Sequence, residues 1–376
     1  MHRRIESAMT MMTDPRHFKL RLFIEGNIIG VATGMVIALF RYLLELSEEY
    51  LPVLYRWLPE HIAWIPVWFL LLAICGWVLY RIVRRDGMTS GSGIPQIKGI
   101  LLGEMDMNWA RVLVLKFFGA VLGIGAGMSL GREGPSVQLG ACLGQGLGRL
   151  THRSYAESHY LLTAGAGAGL AAAFNAPLAG VIFCLEELTK NFSAFVLMGA
   201  ISAAVTATTV TQYFFGMQPV FHMGVVPVID TGHMYILLIV LGAFVGLLGL
   251  AFNPMLTRSQ DFYKRIPARC RLLVPLFCAG ILGFLLPEIL GGGSRLVDSL
   301  VVTNYTMAFL VLLLVGKFLF TMICFGSGVP GGIFLPMLVL GSVGGAVFAK
   351  IAIFFQWMPE LFAVNCIVFG MAAYFS

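Results

Sequence analysis

The chain is short of charge. Asp, Glu, Lys and Arg make up 12% of its 376 residues, where a soluble domain carries about a quarter, so an ordinary water-soluble fold is excluded. Its seven cysteines contain no CxxC spacing, and most of them (Cys75, Cys142, Cys184, Cys278, Cys324, Cys366) sit in apolar stretches. That pattern argues against a disulfide framework or a thiolate metal site and reads as small packing residues. Histidine is sparse as well. None of the seven lies within an apolar span, and no HExxH or metal-spaced Cys/His cluster occurs, so zinc chemistry has no ligand set. A phosphate-binding P-loop is also missing, which argues against an ATP-driven pump. The N-terminus carries no cleavable signal pattern, because the first apolar run begins near residue 22 and extends too far.

What is present is apolar. Hydrophobic residues reach 58% and the mean hydropathy is +0.86. Runs of about 20 apolar residues, enough to cross a bilayer as a helix, occur near 26–44, 64–82, 112–130, 160–185, 194–215, 233–254, 272–290, 308–325 and 333–355. The chain therefore reads as an all-α polytopic membrane protein. Its 44 glycines suit close helix packing and unwound segments that line cavities. The net charge of +6 collects in short flanks: Arg3, Arg4, Arg16, Lys19 and Arg21; Arg81, Arg84 and Arg85; Arg258, Lys264, Arg265, Arg269 and Arg271. By the positive-inside rule these place the N-terminal segment 1–22, the stretch 81–98 and the loop 257–271 in the cytoplasm.

One carboxylate stands apart. Glu133 lies in Gly131-Arg132-Glu133-Gly134-Pro135, between two long apolar stretches. An ionisable group at membrane depth costs at least a few kcal/mol, so it ordinarily faces a cavity or a pathway. The flanking glycines let backbone approach a ligand closely, and Pro135 suits the first turn of a helix. A helix that starts inside the membrane aims free N–H groups and the positive end of its dipole at whatever lies ahead of it. The pentapeptide thus predicts an anion site that contains a protonatable acid.

The chain also repeats itself. At a shift of 201 residues, Lys116-Phe117 falls on Lys317-Phe318. Gly125, Gly127 and Gly131 fall on Gly326, Gly328 and Gly332, and Pro135 falls on Pro336. Leu139-Gly140 and Gly144 fall on Leu340-Gly341 and Gly345. The pentapeptide therefore has a twin at Gly332-Ile333-Phe334-Leu335-Pro336. If the halves, 23–215 and 233–376, have opposite topology, two helix starts converge near the midplane. At the same shift Gly169, Ala171, Ala172 and Phe174 fall on Gly370, Ala372, Ala373 and Phe375. The first copy continues beyond this point, so the spacing predicts that the second repeat is cut short by at least a helix or two.

Other residues leave alternatives open. Ser92, in Ser90-Gly91-Ser92-Gly93-Ile94-Pro95, either offers its hydroxyl to a ligand or caps the next helix. Glu186 and Glu187 follow an apolar run, and on a helix at most one of two adjacent residues faces a given pathway. Arg132 can pair through its side chain while its backbone N–H serves the anion. Lys116 and Lys317 either point inward, setting a positive potential or pairing with a carboxylate, or snorkel to an interface.

The segments GSGIP at 91–95, GREGP at 131–135, AAAFNAPLAG at 171–180, the Glu pair at 186–187 and GGIFLP at 331–336 resemble, in order and spacing, the CLC family of chloride channels and chloride/proton antiporters in its bacterial form. The resemblance runs from about residue 20 to 376. It implies an inverted-repeat fold of tilted and broken helices, a multi-pass protein of the cell inner membrane, and a homodimer with one pathway per subunit. By position, Ser92 and the N–H groups of Ile333 and Phe334 would hold a central chloride. The turn at Arg132, Glu133 and Gly134, with Phe334 and Leu335, would form an outer site. Glu133 would be the gating glutamate and Glu187 the internal proton-transfer glutamate. Chloride and protons are the implied ligands, with no cofactor, metal or nucleic acid.

Two departures bear on mechanism. The family's central tyrosine belongs to the last helical region, which the spacing puts beyond the end of the chain. Lys98 stands where some bacterial members carry an acid, within reach of pairing with Glu187. Ser92 and Pro135 favour chloride over fluoride, and Ser92 disfavours nitrate. Two glutamates together favour proton-coupled exchange over a passive gated channel. An intramembrane serine hydrolase using Ser92 would need a base at membrane depth, and no histidine lies in an apolar span to supply it.

Overall fold

The computed structural model describes residues 15–217, 220–224, 226–229 and 232–375. Arg3, Arg4 and Ser376, and the side chain of Arg16, lie outside the described residues. Helix dominates throughout. The elements are α1 Pro15–Trp57, α2 Ile65–Arg85, α3 Ile94–Leu101, α4 Trp109–Gly125, α5 Glu133–Leu150, α6 Tyr155–Phe174, α7 Pro177–Ile182, α8 Ala194–Phe215, α9 Gly232–Lys264, α10 Ala268–Arg271, α11 Leu273–Leu285, α12 Ser294–Val302, α13 Met307–Gly326, α14 Phe334–Phe354 and α15 Ala363–Phe375. Among the described residues, seven helical segments are long and apolar enough to cross a membrane.

The apolar runs and the helices differ in informative ways. The run 26–44 belongs to the 43-residue α1. At ~1.5 Å per residue that helix is about 65 Å long, twice the roughly 30 Å hydrocarbon core, so it must tilt or project. The run 112–130 outlasts its helix: α4 stops at Gly125, and Gly127 then takes a left-handed φ of 93°. The run 160–185 is two elements, because Asn175 is left-handed with φ 57° and Pro177 starts α7. Past Ile182 the chain continues as a π-helical turn, Phe183–Thr189, which carries Glu186 and Glu187. α5 does not read as an apolar span at all, because glycine and polar residues dilute it, yet nearly all of its residues are buried.

The repeat is visible as structure. α4, α5 and α6 recur as α13, α14 and α15 at the 201-residue shift. Upstream the shift drops to 200: Gly91 and Gly93, with φ of 64° and 94°, recur as Gly291 and Gly293, with φ of 62° and 95°. These glycines precede α3 and α12, which are twins as well. Within each copy two helices cross on backbone. A β-carbon on Gly140 or Gly165 would overlap the other's carbonyl, and the same holds for Gly341 and Gly370 in the second copy. Small residues are the general means by which helices approach closely where lipid removes the hydrophobic drive.

The two copies meet at one point. Gly131 and Gly332, equivalent by the repeat, exchange both backbone hydrogen bonds at 2.7 Å, forming an isolated antiparallel bridge. Contacts around it come in swapped pairs. The Gly91 N–H donates to the Gly328 carbonyl, and the Gly291 N–H donates to the Gly127 carbonyl. A local two-fold relation between the copies accounts for both observations.

Candidate anion site at the meeting of two helix starts

The Gly131–Gly332 bridge sets the starts of α5 and α14 side by side. α5 begins at Glu133 with Arg132 as its first flanking residue. α14 begins at Phe334 with Ile333 in that role. Neither helix start has a side-chain cap. Among the described residues, no acceptor takes the N–H groups of Arg132, Gly134, Ile333 or Phe334. Buried donors without acceptors are costly, by ~1–3 kcal/mol each, and two helix dipoles add positive potential at the same place. The arrangement suits an anion.

Glu133 lies among these donors, only 2% exposed. Its Oε2 accepts from the Leu335 N–H across the interface at 3.4 Å. Its Oε1 is buried with no partner. The carboxylate thus reaches from one repeat to a donor at the start of the other, on a long hydrogen bond.

The third element is the turn before α3. Gly134 has no room for a β-carbon, since Cα, Cβ and the carbonyl of Ser92 all lie within 2.9 Å of where it would be. Ser92 is therefore packed against the first turn of α5. Its Oγ accepts from the Ile94 N–H at 3.4 Å, the capping role, and its hydroxyl hydrogen has no acceptor among the described residues. Capping and ligand binding are compatible here, because the oxygen serves the helix while the hydrogen stays available. The Phe334 ring packs edge-on against Phe174 and Phe375, with centroids 5.3 and 4.5 Å away.

Lys116 and Lys317 both point inward and are fully buried. Neither pairs with a carboxylate among the described residues. The Lys116 ammonium donates to the carbonyls of Thr89 and Gly91 at 3.0 and 2.6 Å. The Lys317 ammonium donates to those of Ile289 and Gly291 at 2.9 and 2.8 Å. Each lysine pins the glycine turn of its own copy, and the first of those turns carries Ser92. The sequence offered the lysines as twins, but their acceptors are backbone atoms and leave no trace in residue identity.

Arg132 turns its side chain away from the helix start, and its Nη1 lies 3.4 Å from Glu45 Oε1. Glu45 also pairs with Arg41 at 3.2 Å. A further acid of α1, Glu48, accepts from the Ser294 hydroxyl at 3.3 Å. It lines a cavity of about 240 Å³ with Arg56, Glu288 and Arg295. Neither Glu45 nor Glu48 was singled out by the sequence.

Glu187 stands away from this cluster. It is exposed on the π-helical turn and forms an ion pair with Lys98, which sits on α3 just beyond Ser92. Glu186 is also exposed. The structure thus brings together Ser92, Arg132, Glu133, Gly134, Ile333, Phe334 and Leu335, and it leaves Glu187 as a second position reached along α3.

Residues 71–376 match the family model described as "Voltage gated chloride channel". The H(+)/Cl(-) exchange transporter ClcA of Vibrio cholerae serotype O1 (strain M66-2) is 38% identical over 350 residues, covering 89% of this chain and 73% of that protein. A slow cyanobacterial Cl-/H+ antiporter of known crystal structure superposes with a TM-score of 0.83 at 30% identity, covering 92% of this chain and 84% of the other. A CLC-type fluoride/proton antiporter superposes with a TM-score of 0.76 at 27% identity, covering 94% and 87%.

Proposed function

Because the chain belongs to the voltage-gated chloride channel family, we propose that it moves chloride across the membrane in exchange for protons. Its relatives are transporters rather than enzymes.

The roles follow from the geometry. Chloride at the centre takes hydrogen bonds from the Ser92 hydroxyl and the Ile333 and Phe334 N–H groups. A second chloride position, farther out, uses the N–H groups of Arg132, Glu133, Gly134 and Leu335. Glu133 as a carboxylate is a tethered anion and already occupies the Leu335 donor. Protonation removes its charge, the hold weakens, the side chain swings off and chloride takes its place. Proton and chloride then compete through one side chain, and that competition couples them. Neutral peptide donors suit the task, because a full positive charge would hold chloride too tightly to let it leave. Glu187 passes protons between Glu133 and the solvent on the side of Lys98.

The basic flanks orient the N-terminus and the 81–98 stretch toward the cytoplasm of the cell inner membrane. Residues 23–215 and 233–376 are the two inverted repeats, and a homodimer with one pathway per subunit follows the family pattern. The observation that carries the function is the set of unclaimed N–H donors at two abutting helix starts, with the unpartnered Oε1 of Glu133 beside them. One observation favours a passive gated channel on the same scaffold: the Glu187 carboxylate is taken up in an ion pair with Lys98 and is not free to face a proton pathway.

Liposomes loaded with chloride separate the two. With the membrane potential clamped and no initial pH difference, an exchanger takes up protons as chloride leaves, and the external medium turns alkaline. A channel releases chloride at unchanged pH.

A further inference from the structure

We propose that the basic end of α2 is a binding site for an anionic phospholipid headgroup. Arg81, Arg84 and Arg85 form the last turns of α2 and are all exposed. With Trp77 and Leu115 they line an open groove of about 610 Å³ between α2 and α4. None of the three arginines has an acidic partner among the described residues. Asp86 is the single acid between residues 78 and 103, and its carboxylate accepts from the Met88 N–H. The short helix α10 packs against α2 and brings Arg269 up to the Tyr80 phenol, to which Arg84 already donates at 3.2 Å.

Positive residues beside a span are ordinary topology signals. The arrangement here goes further in three respects. Three guanidiniums of one helix end face one groove. That groove has an apolar floor, suited to an acyl chain leaving a headgroup. Its aromatic wall is the ring of Trp77, 58% exposed and 5.3 Å from the Arg81 guanidinium, and such rings sit at the headgroup level of a bilayer. Arginine forks match phosphodiester oxygens two at a time, and basic pockets between membrane helices hold acidic headgroups. The charge selects a lipid whose headgroup has no amine to cancel the phosphate, such as phosphatidylglycerol.

The test uses the purified chain in detergent, with phosphatidylglycerol, phosphatidylcholine or inorganic phosphate added. Lipid retention is read by native mass spectrometry and the melting temperature by heating. The wild type should retain phosphatidylglycerol and melt higher with it, but not with the other two. R81Q/R84Q/R85Q should bind it roughly 100-fold more weakly, at about fivefold per arginine, and lose the added melting temperature. R81K/R84K/R85K should bind in between, since charge remains but the fork is lost. Chloride flux of the glutamine variant in phosphatidylcholine vesicles should equal that of the wild type, which shows that it folds. The proposal is overturned if phosphatidylcholine or phosphate gives the same rise, or if the glutamine variant keeps the response. These outcomes do not depend on whether chloride flux is proton-coupled.

Discussion

At the residue scale, the two fully buried lysines serve the backbone. Lys116 and Lys317 each hold two carbonyls of a glycine turn. Removing one ammonium strands two buried acceptors, at ~1–3 kcal/mol each. Lys317→Met, close in length but without a donor, is therefore expected to destabilise the chain by about 2–6 kcal/mol, read as a lower melting temperature in detergent. A melting temperature equal to the wild type's would show that the clamp carries no stability. Glu133 uses its charge differently. It lies beside unclaimed N–H donors and accepts from the Leu335 N–H across the interface at 3.4 Å, a position from which the proposed exchange makes it chloride's competitor. This distinction was partly legible beforehand. An acid flanked by glycines at membrane depth already implied a cavity. The pairing of Lys98 with Glu187 was legible only through the family resemblance, which set Lys98 where some members carry an acid. The clamps were not legible, since a lysine bonding carbonyls and a lysine snorkelling to an interface are the same letter in a sequence.

At the element scale, glycine decides which helices can touch. Gly140 of α5 and Gly165 of α6 approach until neither has room for a methyl group, whereas Gly246 of α9 has open space around it. Gly140→Ala should cost about 1–3 kcal/mol by overpacking, and Gly246→Ala should be neutral or slightly favourable through helix propensity. Thermal unfolding of the two variants side by side checks this, and equal effects would refute the close crossing. The same glycines explain why α5 does not stand out as an apolar span. Hydropathy measures contact with lipid, and α5 is surrounded by protein. Breaks were hidden for a related reason. Asn175 and the π-helical turn at Phe183–Thr189 break a stretch whose average is apolar, so composition alone joins what the backbone separates.

At the scale of the whole molecule, two copies of one helical unit are joined at Gly131 and Gly332. The 201-residue shift carries three helices from one copy to the other, and the glycine turns before them follow at a shift of 200. The single-residue slip hid the equivalence of Gly91 with Gly291, because a fixed register loses a loop as soon as its length changes. Two equivalent turns on a shared axis bring two helix starts, with their unclaimed N–H donors, to one place.

The central claim is that the Glu133 carboxylate and chloride compete for those donors. Chloride binding measured by calorimetry across a pH series, on the wild type and on Glu133→Gln, tests it most directly. A charged Glu133 occupies the site and a protonated one does not. Wild-type affinity should therefore fall as pH rises through the titration of that acid, while the glutamine variant binds with the same affinity at every pH. Equal pH dependence in both proteins would contradict the account.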